Sequence, residues 1–239
     1  MTLRKHIPNS ITSMNLLCGV LGVIFSLDGK LETAFVLMLL AAVFDFCDGL
    51  SARLLKAYSD VGKELDSLSD VVSFGVLPSV MLYCVFGTQS QVLRLFPLLI
   101  AAFSALRLAK FNLDERQHDS FIGLPTPACA MVCGSLACFA AEVPGSFISR
   151  WCEGPFFIVL LTVLLCALLV CEVPMFSFKF GGGRKASRPE TVKRIVFLAV
   201  AVLGTLVTAI GGWHWSLVFL VAFAGYIIIN LLSRAFVRK

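Results

Sequence analysis

Two close pairs of aspartates, with Asp60 between them, stand in one 26-residue stretch of an otherwise apolar chain. It reads Asp45-Phe-Cys-Asp48-Gly49-Leu-Ser-Ala52-Arg53, then eight residues, then Gly62-Lys-Glu-Leu-Asp66-Ser-Leu-Ser-Asp70. Asp45 and Asp48 are spaced i,i+3, and Asp66 and Asp70 i,i+4, so each pair projects from one face of its own helix. One carboxylate at bilayer depth costs roughly 2.5–3.5 kcal/mol, and four deep, unpaired ones on the order of 10 kcal/mol. That is comparable with the stability of a whole domain. The basic residues within the stretch, Arg53, Lys56 and Lys63, do not lie on the inward face that the aspartates share. An all-oxygen donor set with no clustered Cys or His selects a hard cation, Mg2+, Mn2+ or Ca2+, and excludes a zinc-type site. Two divalent ions balance four carboxylates charge for charge, and still attract an anionic substrate through its phosphates.

The elements that position these residues are membrane helices. The chain has 239 residues, 58% of them hydrophobic, and a mean hydropathy of +0.90. Soluble domains carry about 45–50% apolar residues. An all-α, polytopic integral membrane protein follows, with no room for a separate soluble domain. Runs long enough to span about 30 Å of hydrocarbon at 1.5 Å per residue number eight: Ile11 to Leu27, Leu31 to Leu54, Gly62 to Phe86, Val92 to Phe111, Pro127 to Ala141, Phe156 to Cys171, Ile195 to Ile210 and Trp215 to Leu232. The fifth and sixth are the shortest. No A-x-A-like cleavage site follows the basic Arg4-Lys5, so the first run is kept as a span rather than a signal peptide. Eight spans put both termini on one side. Alternating the loops leaves only Lys30, Arg94 and Arg150 opposite and the other 17 of the 20 Lys and Arg residues on the side of the termini. By the positive-inside rule that side, onto which the tetrad opens, is cytoplasmic. The expected division is 1–172 as a catalytic membrane core, 173–194 as a basic cytoplasmic linker and 195–239 as a transmembrane hairpin.

The spacing D-x2-D-G-x2-A-R-x8-G-x3-D-x3-D is met at every position, and it resembles the signature of the CDP-alcohol phosphotransferases, integral membrane enzymes of phospholipid synthesis. The family fold this implies is a six-helix core, here followed by two further helices. The resemblance also implies Mg2+ or Mn2+ as cofactor, two ions per site, held by Asp45, Asp48, Asp66 and Asp70, with Asp70 taking the proton from the acceptor hydroxyl. Asn9, Thr12, Asp48, Gly49, Ala52, Arg53, Gly62 and Asp66 are the expected contacts to the CDP-lipid. Missing side chains at Gly49 and Ala52 leave a concavity where a cytosine and ribose can lie against backbone. Arg53 can reach a diphosphate with a charge-assisted fork; its alternative role is a positive-inside anchor. Pro8-Asn9-x-x-Thr12 looks like the family segment that meets the nucleotide end, although Asn9 or Ser10 equally suits an N-cap. Pro78 should kink the third span.

Arg107-Leu-Ala-Lys110-Phe-Asn112, the run Phe121-Ile122-Gly123-Leu124-Pro125-Thr126-Pro127 and the sequence from Asp66 to Pro78 resemble the phosphatidylserine synthase branch of that family. This implies CDP-diacylglycerol and L-serine as substrates in a prokaryotic cytoplasmic membrane, with membrane lipids around a homodimer. Arg107 lies one to two turns below the surface, where a guanidinium needs an anion: a substrate carboxylate, a lipid phosphate or a tetrad aspartate. Arg107, Lys110, Asn112 and Ser73 are the candidate serine contacts, with snorkelling as the alternative for Lys110 and helix packing for Ser73. The resemblance covers roughly Arg4 to Ala130.

Other features carry less. Nine cysteines without a C-x-x-C pair read as small buried hydrophobes forming no disulfide, Cys152 alone falling in a loop. Isolated His6, His118 and His214 do not make the H-x-K-x4-D pattern of phospholipase-type synthases. Asp114 to Asp119 is a solvated charge run. Gly181-Gly-Gly-Arg184-Lys185 lacks the strand and G-K-[ST] of a phosphate loop and suits a basic linker at anionic headgroups. The net charge of +5 is gathered at the ends of apolar runs, which argues against a nucleic-acid partner. Glycerol 3-phosphate or inositol as acceptor, or an archaeal ether lipid as donor, are the alternatives within the class. A divalent-cation or proton-coupled transporter is the alternative outside it, but its carboxylates should follow a midplane path through both halves.

Overall fold

In the computed structural model the described residues are 6–88, 90–113, 121–176 and 188–237. The expectations for Arg4 and Lys5, for the charge run Asp114 to Asp119 and for Gly181 to Lys185 lie outside them. The chain is an all-helical membrane bundle. Its helices are α1 (His6–Leu27), α2 (Leu31–Leu55), α3 (Asp60–Asp70), α4 (Leu77–Val85), α5 (Gln91–Arg94), α6 (Leu99–Leu113), α7 (Thr126–Glu142), α8 (Phe147–Glu153), α9 (Phe157–Val170), α10 (Arg188–Gly211) and α11 (Ser216–Val237). Two-residue strands, β1 (Phe121–Ile122) and β2 (Pro174–Met175), pair antiparallel with Phe121 opposite Met175.

Each of the eight expected spans is helical. Among the described residues six helical stretches are long and apolar enough to cross a membrane, or seven if α7 and α8 count as one span bent by 104°. The difference lies where the apolar runs are shortest: α7 has 17 residues and α9 has 14, and 14 residues rise only about 21 Å. The expected outer loop from Glu142 to Gly154 contains α8, and Cys152 is buried there at 1% exposure rather than set in a loop. All nine cysteines are free.

Small residues let α1 lie close to its neighbours. Its buried positions are Pro8, Thr12, Asn15, Cys18, Gly19, Gly22 and Ser26, a stripe at helical spacing with almost no bulk. A Cβ at Gly19 would come within 2.9 Å of the Ser73 Cα, and one at Gly22 within 2.6 Å of Leu77 Cδ2. α3 and α4 form one span, Asp60–Val85, joined by a π-helical turn, Val71–Val76. Leu77 N–H bonds to Val72 O across that turn, and Pro78 has no N–H to continue an α ladder. Just before Pro78, where a kink is expected, the helix thus carries a widened turn directly after Asp70, and such turns are frequent at functional sites.

α7 forms the axis of the bundle: every residue from Ala128 to Ala140 is buried. Alanine, cysteine, glycine and serine fill most of this run, so α2, α4 and α11 all reach its backbone closely; Gly134 lies against Phe35 and Met38 of α2. One hold on the last two helices lies where α11 begins, beside the start of α2. There Trp215 stacks on Phe35 with ring centres 5.3 Å apart, and its Nε1–H donates to Glu32 Oε1 at 2.8 Å. The outer face of α10, with Ile195, Val202, Leu206 and Ile210 exposed, suits lipid.

Candidate active site

α2 and α3 meet through a tight turn. Lys56 closes α2 in the left-handed conformation, φ +50°. Ser59 caps α3, its Oγ accepting from Gly62 N–H at 3.0 Å, so α3 begins two residues before the expected start at Gly62. This brings ligand oxygens of Asp45, Asp48 and Asp66 within 4.8 Å of one another. Asp70 is outside that trio, buried at 9% exposure, but near enough to feel the charges of Asp45, Asp66 and Asp48.

The residues fit a hard divalent cation. The donors are all carboxylate oxygens, and among the described residues no Lys or Arg forms an ion pair with any of them. Asp66 Oδ1 is a buried oxygen without a hydrogen-bond partner. Buried polar atoms are otherwise nearly always satisfied, so an orphan acceptor beside two other carboxylates suits a cation.

α1 supplies the third wall. Thr12 Oγ1 donates to Asp48 Oδ2 at 2.6 Å, and Asn15 Nδ2 donates to Asp70 Oδ1 at 3.3 Å. Sequence reasoning included Thr12 but missed Asn15, although a polar residue i+3 from Thr12 in an apolar span was the available signal. Asn9 lies within α1, so neither it nor Ser10 is an N-cap as one expectation had it. Its Oδ1 would be 2.9 Å from a Cβ at Gly62; the glycine allows α1 and α3 to approach here. Gly49 faces open space, with nothing within 4 Å of where its Cβ would be. Ala52 is half-buried one turn on, and exposed Arg53 folds back so that its Nε donates to Gly49 O at 2.9 Å.

The candidate acceptor contacts are not brought together as a group. Arg107 is buried at 6% exposure, and its Nη1 donates to Thr126 Oγ1 at 2.9 Å. Its Nε is buried without a partner, and it lies within electrostatic range of Tyr226 and Asp70. Lys110 is exposed. Asn112 turns to α3, donating to Ser67 Oγ at 2.8 Å, and Ser73 donates to Asn15 O at 3.0 Å. Arg107 is the cation of the four that lies within electrostatic range of Asp70, while Ser73 and Asn112 spend their side chains on α1 and α3. Thr126, which sequence reasoning passed over, is its neighbour.

The family model described as CDP-alcohol phosphatidyltransferase matches residues 5–222. That match runs well beyond the motif-bearing half, past residue 172 and into α11. The chain is 39% identical over 128 residues to the CDP-diacylglycerol–serine O-phosphatidyltransferase of Bacillus subtilis (strain 168), covering 53% of this chain and 72% of that one. It is 34% identical over 177 residues to the protein of the same name from Mycobacterium leprae (strain TN), covering 71% of this chain and 57% of that one. Similarity to the archaetidylserine synthase of Methanothermobacter thermautotrophicus is 37% over 146 residues, 59% of this chain and 63% of that one.

Proposed function

The chain belongs to the CDP-alcohol phosphatidyltransferase family, and on that premise we propose that it transfers the phosphatidyl group of CDP-diacylglycerol to the hydroxyl of L-serine, giving phosphatidylserine and CMP. The observation that carries this reading is the convergence of Asp45, Asp48 and Asp66 from two helices within 4.8 Å, with buried Arg107 on the Asp70 side. Asp45, Asp48, Asp66 and Asp70 would hold Mg2+ or Mn2+, two ions per site. When bound, such ions neutralise the diphosphate and stabilise the departing CMP.

The chain's own residues do the rest. Thr12 fixes Asp48 in orientation, and Asn15 fixes Asp70. The open surface at Gly49 and Ala52 receives the nucleotide, with Asn9 and Gly62 at its edge and Arg53 reaching the diphosphate. Arg107 holds the serine carboxylate through its unpaired Nε, which presents the hydroxyl toward Asp70. Asp70 takes the hydroxyl proton as the serine oxygen bonds to phosphorus and the bond to the CMP oxygen breaks. Positioning and charge stabilisation, rather than a covalent intermediate, suffice for phosphoryl transfer. A doubly charged acceptor phosphate would call for more cations than Arg107, the one arginine buried among the described residues, which favours a monoanionic carboxylate. Eight crossings, with both termini and the tetrad on the cytoplasmic side of a prokaryotic membrane, agree with the Lys and Arg asymmetry. A homodimer is the assembly proposed.

The test is purified protein with CDP-diacylglycerol, Mn2+ or Mg2+, and serine, glycerol 3-phosphate or inositol offered in turn, and with a dialkyl CDP-lipid as second donor. Release of CMP with labelled phosphatidylserine, from serine and the diacyl donor, is expected. Product from another acceptor alone would overturn the assignment.

A further inference from the structure

The last hairpin bears on the acceptor side of the site, through contacts that can be followed one at a time. Phe176, just after β2, is gripped at both backbone groups by α11: its N–H donates to Asn230 Oδ1 at 3.1 Å, and its C=O accepts from Tyr226 Oη at 2.9 Å. Asn230 is fully buried and Tyr226 is 2% exposed, so neither bond competes with water. β2 in turn pairs with β1. Gly123 N–H donates to Val173 O at 2.9 Å, and Leu124 N–H to Leu168 O at 2.8 Å. Gly123 has φ +78°, and a Cβ there would meet Leu169 O at 2.8 Å and Cys171 O at 2.9 Å. Only glycine lets this strand lie on the end of α9. Pro125 and Thr126 follow directly, and Thr126 Oγ1, fully buried, receives Arg107 Nη1.

We propose that Thr126 is a positioning residue of the acceptor subsite, and that α11, through Tyr226 and Asn230, fixes it there by way of β2, β1 and Gly123. This rests on the reading of Arg107 as the anchor of the acceptor carboxylate. A guanidinium with several donors pivots easily. Occupying Nη1 with a fixed hydroxyl leaves Nε, buried and unpartnered, as a donor free for an acidic acceptor. The hairpin thus contributes to acceptor recognition through this chain of contacts, with Tyr226 also within electrostatic range of Arg107.

The experiment measures kcat and the KM for serine and for CDP-diacylglycerol separately, in the full-length purified protein. The variants are Thr126→Val, Thr126→Ser, Tyr226→Phe, Thr126→Val combined with Tyr226→Phe, and Arg107→Ala. A hydrogen bond to a charged group predicts that Thr126→Val raises the serine KM by about ten- to hundredfold. Thr126→Ser should restore it to within about threefold, with the CDP-diacylglycerol KM moving by less than about threefold in both. Tyr226→Phe, a milder change that keeps the ring, should raise the serine KM several-fold. The double variant should match Thr126→Val alone, because both changes act through one contact. Multiplying effects in the double variant, or parallel rises in both KM values, would mean general loosening and would overturn the proposal. If Arg107→Ala raises the serine KM while Thr126→Val leaves it unchanged, the positioning role fails and the anchor reading stands. If Arg107→Ala leaves the serine KM unchanged, the anchor reading fails and the positioning proposal falls with it.

Discussion

Replacing Asp66 by asparagine should make the metal-free protein more stable while ending transfer. The trio's ligand oxygens lie within 4.8 Å of one another. At that separation and an effective dielectric constant of ~20, two like charges repel by about 3.5 kcal/mol, and Asp66 takes part in two such pairs. Asp45 and Asp66 are only partly buried, and solvent screening reduces the relief on neutralising Asp66 to about 1–3 kcal/mol. Little is lost in exchange, since Asp66 Oδ1 has no hydrogen-bond partner and the asparagine amide can keep the side-chain contact with Asp45. For a chain of this length, that relief raises the unfolding midpoint by roughly 3–10 °C. The assay is thermal unfolding of wild type and Asp66→Asn in detergent, once in chelator and once in millimolar Mn2+ or Mg2+. The variant should unfold later in chelator. Saturating ion should then favour the wild type, since a ligand at a hundred times its Kd adds about 2.7 kcal/mol. A variant that unfolds earlier in chelator, or that gains as much from the ion as the wild type does, would refute the idea that the three carboxylates are arranged around a cation.

Asp70→Asn should abolish CMP release while equilibrium binding of labelled CDP-diacylglycerol stays within about threefold; wild-type turnover in the variant would reject Asp70 as the proton acceptor. Arg107→Ala should raise the serine KM by about ten- to hundredfold, the worth of a hydrogen bond to a charged group, with a much smaller change in the CDP-diacylglycerol KM; equal effects would assign Arg107 to phosphate instead. Gly123→Ala combines the left-handed φ of +78° with a Cβ placed 2.8 Å from Leu169 O and should cost roughly 2 kcal/mol or more. Gly145→Ala, at φ +81° with open space around it, should cost only the conformational penalty of about 1–2 kcal/mol; unfolding midpoints that rank the two the other way would contradict the close packing at Gly123.

The aspartates were legible because helical period alone puts Asp45 with Asp48 and Asp66 with Asp70, and because bilayer energetics makes four carboxylates conspicuous. The spans were legible for the same reason, wherever the apolar run was long. What could not be read were contacts set by how helices lean on one another. Asn15 reaches Asp70 across 55 residues, and Phe176 is held by Asn230 across 54. Neither bond has a local spacing that announces it. Arg107 and Lys110 share a face on a helical wheel, yet they part in the bundle: Arg107 meets α7 while Lys110, a turn nearer the end, is exposed. Tertiary packing likewise gave Asn112 to Ser67 of α3. Of the expected linker 173–194, the described residues are 173–176 and 188–194: Val173 to Phe176 is bonded through its backbone to the segment before α7 and to side chains of α11, and 188–194 already belongs to α10.

The arrangement of the four aspartates suggests why α1 belongs to the site although it carries no charge there. Each acidic pair has one member tied to α1, Asp48 to Thr12 and Asp70 to Asn15. The other members, Asp45 and Asp66, receive no hydroxyl or amide side chain among the described residues and are less buried. A tied carboxylate has lost its rotamer freedom before any ligand arrives, so that cost is not charged against binding. An untied one keeps both oxygens for the ligand. The tie to α1 holds only because that helix lies close, and it lies close because Gly19 and Gly22 let Ser73 and Leu77 fit against its backbone. A larger residue at either glycine, far from any phosphate, would push Thr12 and Asn15 away from the carboxylates they orient. On the proposed reading the small-residue stripe of α1 would act on the chemistry through packing, by setting which two of the four aspartates are fixed and which two are left to respond.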